Sequence, residues 1–112
     1  MKEIKAFIRQ HRIADVLEAL RDSGLCHSGA GAGGHNVVVS RVQRPLADAD
    51  PMQQHYSMDL AEPVVAEFKL ELLCADDLAD PLVDLITKAA HTGQPEAGWV
   101  IVSEVQRAEE IR

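Results

Sequence analysis

Apolar positions alternate strictly at the start of the chain. Ile4, Ala6 and Ile8 fall on one side of residues 2–8, and Glu3, Lys5 and Phe7 on the other, so this segment reads as a strand. The period then lengthens. Ile13, Val16, Leu17 and Leu20 follow the i, i+3, i+4, i+7 spacing of one helical stripe. Gly24 ends that helix, because glycine takes the left-handed C′ conformation at little cost. Residues 36–43, NVVVSRVQ, are rich in β-branched side chains and read as a second strand. Alternation returns in VVAEFKLELLC, 64–74. Val64, Ala66, Phe68, Leu70, Leu72 and Cys74 share one face there, with Glu67, Lys69 and Glu71 opposite. A helix follows over about 78–91, with Asp77 as its N-cap and Leu78, Leu82, Leu85, Ile86 and Ala89 as its buried stripe. WVIVSEV, 99–105, is the fourth strand.

The order βαββαβ predicts an α+β, ferredoxin-like fold over residues 1–112 as one domain. Its antiparallel four-stranded sheet carries both helices on one face. Val38, Val100, Val102 and the strand 64–74 leave little polar surface for the other face, so self-association is expected to cover it. Between the second and third strands, residues 44–63 have no periodicity and contain Pro45, Pro51 and Pro63. They read as a long, mobile loop, the kind of segment that often carries binding.

Composition narrows the function. The chain has 112 residues, 18 acidic and 11 basic, for a net charge of −7. No basic field is present to attract phosphate backbones, which excludes a general nucleic-acid binder. No apolar run approaches the ~20 residues of a membrane span, and the first ten residues lack the apolar centre of a secretory signal. Cys26 and Cys74 are the only cysteines, which points to a reducing cytoplasm rather than a disulfide framework.

Candidate chemistry is sparse. GAGAGG at 29–34 matches G-x-G-x-x-G, but a helix precedes it and a strand follows, the reverse of a dinucleotide-binding turn. Cys26, His27 and His35 are candidate metal ligands by residue type, at a spacing that matches no standard pattern. His55 with Met52 and Met58 is a second, thinner metal candidate. No nucleophile has a base at a suggestive spacing, so an enzyme is not expected.

The second half, FKLELLCADDLADPLVDLITKAAHTGQPEAGWVIV (68–102), resembles the PII signalling proteins, most specifically in Lys88-Ala89-Ala90-His91-Thr92-Gly93. MKEIKAFIRQHRIADVLEAL looks like the same family's opening strand and helix. The resemblance implies a homotrimer that binds adenine nucleotides between subunits and regulates a protein partner, such as a membrane transporter, through the loop 44–63. It implies a ligand site built from Glu71, Leu73, Thr92, Gly93, Gly98 and Arg112, and a partner surface that includes Met52, Gln54, His55 and Tyr56.

Several positions depart from the family pattern. Trp99 stands where the short loop has lysine, Glu96 adds a negative charge, and 44–48 read Arg-Pro-Leu-Ala-Asp in place of Gly-x-Gly-Arg-Gln. Glu110 replaces one of two C-terminal arginines, and Tyr56 does not align with the family's modified tyrosine. Each lost cation removes charge-assisted hydrogen bonds of ~1.5–3 kcal/mol. ADP or AMP is therefore expected to bind at least as well as ATP. The alternative is a metal-binding protein of the trimeric divalent-cation tolerance type, which shares the fold.

Overall fold

A computed structural model describes residues 1–25, 37–46 and 50–112. Its strands are β1 (Lys2–Arg9), β2 (Val38–Pro45), β3 (Gln54–Ser57), β4 (Glu62–Cys74) and β5 (Trp99–Glu104), and its helices are α1 (Ile13–Ser23) and α2 (Ala79–Ala89). The sheet order is β2-β4-β1-β5, every pairing antiparallel, as a ferredoxin-like βαββαβ chain requires. The expected elements are all present, and Gly24 does close α1 in the left-handed region at φ 73°.

Among the described residues the sheet has five strands, not four. β3 arises inside the segment expected to be a structureless loop, and pairs Gln54–Ser57 with Val65–Glu62. It lies along the same edge of β4 that β1 occupies farther on, where Arg9 faces Glu67. β4 is 13 residues long, long enough for both partners. The rest of 44–63 is shorter than expected as well. Arg44 and Pro45 belong to β2, Pro51–Gln53 form a 3₁₀ turn, and Glu62 and Pro63 begin β4. Pro45 is accommodated at the end of an edge strand.

One core joins both helices to one sheet face. Ile4, Ala6 and Ile8 of β1 meet Leu70, Leu72 and Cys74 of β4, and Val16, Leu20, Leu82 and Ile86 close over them. Asp77 is not the cap of α2. Residues Asp76–Leu78 form a 3₁₀ turn leading into it, and no side chain caps either element.

The free sheet face differs from expectation in two ways. Val100 and Val102 pair with Ala6 and Ile4, on the helix side, while Trp99 and Ile101 oppose Phe7 and Lys5 on the free side. Glu67, expected on a solvated face with Lys69, is buried. Burial changes along β4: both faces are covered near its start, at Val64, Val65 and Glu67, and one face farther on, at Leu70, Leu72 and Cys74. Charge makes the covering of Glu67 possible. Glu67 accepts from Arg9 Nη1 and from Arg44 Nε, each at 2.8 Å, so the buried carboxylate is compensated by guanidinium groups.

Candidate functional site

The segment after α2 builds a cleft because its backbone cannot run straight from helix to strand. α2 ends at Ala89, and Arg12 Nη2 donates to the Ala89 carbonyl at 2.7 Å, which places a cation on the electronegative helix C-terminus. The chain then turns through Gly93 at φ 81° and Glu96 at φ 53°, both left-handed. Thr92 Oγ1 accepts from the Gln94 N–H at 3.1 Å and holds the first half of the turn.

Gly98 brings the segment back against β1. A side-chain carbon there would sit 2.4 Å from the Phe7 carbonyl oxygen, so glycine is needed for the approach. The outcome is a cleft of about 410 Å³, walled by Phe7 and Trp99 on the sheet side, Thr87 and His91 on the helix side, and the loop between. Thr92, Gly93 and Gly98 are thus brought together. No lysine or arginine lines the cleft among the described residues, and Glu96 does. Loop amides and the Thr92 hydroxyl are its hydrogen-bonding groups toward an anion.

The other sequence-derived residues lie elsewhere in the protomer. Glu71 and Leu73 are on the free sheet face, opposite Lys5 and Glu3, farther along β4 than the cleft. Arg112 is in the tail, paired with Glu110 at 3.2 Å. Met52 and Tyr56 are exposed, His55 is exposed on β3, and Gln54 is half-buried. Cys26, His27 and His35, with the glycine-rich run 29–34, lie outside the described residues. Among the described residues no three His, Cys, Asp or Glu side chains cluster as a metal site, and none of the helices is long and apolar enough to cross a membrane.

Sequence reasoning missed Arg9, Arg44 and Glu67. The Arg44 guanidinium lies 5.2 Å from the centroid of the Phe7 ring, and Phe7 is a wall of the cleft. The signal was present in part: an acidic residue inside a strand flanked by valines and phenylalanine needs either solvent or a cation.

A family model described as nitrogen regulatory protein P-II matches residues 1–112, the whole chain. The chain belongs to the P-II family. It is 30% identical to the nitrogen regulatory protein P-II of Pyropia yezoensis over 114 residues, covering 100% of this chain and 92% of that relative. It is 26% identical to the nitrogen regulatory protein GlnK of Escherichia coli K12 over 112 residues, with 100% and 92% covered. To the nitrogen regulatory protein GlnK2 of Haloferax mediterranei it is 30% identical over 112 residues, with 100% and 84% covered. As a P-II protein the chain is a regulatory signal transducer and not an enzyme.

Proposed function

We propose that this P-II protein is a homotrimer that senses a small anionic ligand, an adenine nucleotide with few phosphates such as ADP or AMP, in the cleft beneath residues 92–98. It passes that state to a protein partner, a membrane transporter, through residues 44–63, and it works in the cytoplasm. The observation that carries the reading is the convergence of Thr92, Gly93 and Gly98 on one cleft of about 410 Å³ with an aromatic wall and no cation among its described lining. Flat apolar walls suit a base and ribose, and a short row of amides suits one or two phosphates better than three.

Assembly is supported by the free sheet face. Val38, Trp99 and Ile101 are 59%, 56% and 46% exposed there, apolar surface that packing against another copy would remove from water. In the trimer, Glu71, Leu73 and Arg112 reach the cleft from the neighbouring copy, which accounts for their distance from it within one chain. The partner surface is supported by Met52, Tyr56, Met58 and Leu60, four exposed apolar side chains around β3.

Calorimetry of the purified protein with AMP, ADP and ATP tests the ligand. AMP and ADP are expected to bind at least as tightly as ATP. Binding of ATP far more tightly than ADP, or no binding by any of them, overturns the reading. Light scattering that reports a monomer at micromolar concentration overturns the assembly.

A further inference from the structure

A separate groove lies on the helix side of the sheet, where Arg41, Gln43 and His55 are exposed. It has a volume of about 500 Å³, and its lining includes Gln10, Arg41, Gln43, His55, Ala66 and Phe68. Register puts the strand side chains on one face. Arg41 stands opposite Phe68 and Gln43 opposite Ala66 across β2 and β4, and Phe68 stands opposite the core residue Ile8. His55 of β3 stands opposite Val64, which has the same parity along β4. The groove shares no lining residue with the cleft beneath 92–98. It opens on the face opposite the one that the proposed assembly covers.

Charge marks this groove out. Arg9 and Arg44 are paired with Glu67, and Arg12 with Asp15. Arg41 has no carboxylate partner among the described residues, although its guanidinium lies 5.1 Å from the centroid of the Phe68 ring. Glu67 also lines the groove, but Arg9 and Arg44 already donate to its two oxygens. One cation is therefore left unanswered, seated against an aromatic ring.

We infer that this groove is a second ligand site, built for a small carboxylate carried on a flat apolar body, and that its occupant ties β3 to β2. The planar fork of Arg41 matches a carboxylate through two parallel hydrogen bonds. The amides of Gln10 and Gln43 and the imidazole of His55 supply further N–H donors around it. Phe68 and Ala66 offer the apolar floor, and the volume lies within the ~300–1,000 Å³ usual for small-molecule sites. A ligand there touches β2 just before the segment 44–63 and β3 within it, so it joins two parts of the sheet that are otherwise linked only through β4.

Nuclear magnetic resonance on the full-length protein tests this with benzoate, and with benzamide as its uncharged counterpart. Benzoate is expected to move the His55 ring and Gln43 amide signals saturably, and benzamide to bind about tenfold or more weakly. In Arg41→Gln the benzoate affinity falls to the benzamide level. In Arg41→Lys, which keeps the charge without the fork, it lies between the two. Hydrogen exchange at Gln54–Ser57 is expected to slow several-fold when the native protein is saturated with benzoate. No saturable response to benzoate, equal binding of benzoate and benzamide, or undiminished benzoate binding in Arg41→Gln overturns the site. Exchange at 54–57 that saturating benzoate leaves unchanged overturns the tie between β3 and β2. Because the groove and the cleft share no residue, each of these outcomes leaves the proposed function standing.

Discussion

Glu67 and Arg9 form an ion pair of 2.8 Å in which both side chains are almost wholly removed from solvent, 1% and 4% exposed. They stand directly opposite each other on β4 and β1, at the point where β1 ends and β3 takes over the strand edge. The pair therefore sits beneath the junction between the regular sheet and the segment 44–63. Breaking it strands a charge in a place water does not reach.

Glu67→Ala is expected to cost ~3–5 kcal/mol, the usual penalty for removing one member of a buried pair. Replacing both members, as in Arg9→Met with Glu67→Leu, is expected to cost much less, because the one charge that loses its partner, Arg44, is a third exposed and keeps contact with water. Urea denaturation of the three proteins checks this. A single-variant loss below ~1 kcal/mol would place the pair with weak surface bridges instead.

Two glycines of the short loop should respond unequally to alanine. At Gly93 the added carbon meets nothing closer than 4.0 Å, so only the left-handed backbone at φ 81° is penalised, by ~1–2 kcal/mol. At Gly98 it meets a backbone carbonyl oxygen 2.4 Å away, and β1 and β5 must separate. Gly98→Ala should therefore have the lower melting temperature and the weaker ligand binding. The reverse order would show that the loop can retreat from Phe7.

β3 makes the segment 44–63 testable by hydrogen exchange. Paired amides in Gln54–Ser57 should be protected to a degree comparable with Glu62–Val65 of β4. The exposed turn Met58–Ala61 should exchange faster, although the Ala61 N–H donates to the Ser57 carbonyl at 2.8 Å. Free exchange throughout 54–57 would show that the strand pairing does not persist.

Two exposed ion pairs hold the first two residues, Met1 to Asp76 and Lys2 to Glu104, and their pH dependence has opposite signs. The Met1 amino group donates to Asp76 Oδ1 at 2.7 Å, and that hydrogen bond, aided by the amine's charge, holds the Asp76 carboxyl below its usual range. Its contribution is complete above the usual carboxylate range and is lost as pH falls through the lowered folded value. Lys2 is raised, chiefly by its hydrogen bond to Glu104. Its contribution is present below the usual lysine value and is lost as pH rises through the raised one. Asp76→Asn should thus be slightly less stable than the native protein at neutral pH and equal to it in strong acid. A difference that widens on acidification would contradict the pairing.

The repeating patterns of the chain were enough to establish the element order and the core, while the family was legible in the resemblance carried by Lys88–Gly93 and the segments around it. Alternation in 2–8 and 64–74 and the stripe Ile13, Val16, Leu20 depend only on local period, and a βαββαβ order leaves few packings open. The loop 92–98 was legible for a related reason, since Thr-Gly after a helix is a local stop signal. What stayed hidden depends on contacts between distant residues. Gln54–Ser57 has little strand character of its own and becomes a strand because β4 runs past the end of β1 and offers an unpaired edge. Glu67 reads as a solvent-facing residue until Arg9, 58 positions earlier, and Arg44, 23 positions earlier, are placed beside it. Which valines of β5 face the helices follows from register with β1, which no property of that strand alone dictates. Local period assigns the elements. The burial of a charge and the growth of an extra strand are decided by what tertiary packing brings alongside, because both need a partner the neighbouring sequence does not contain.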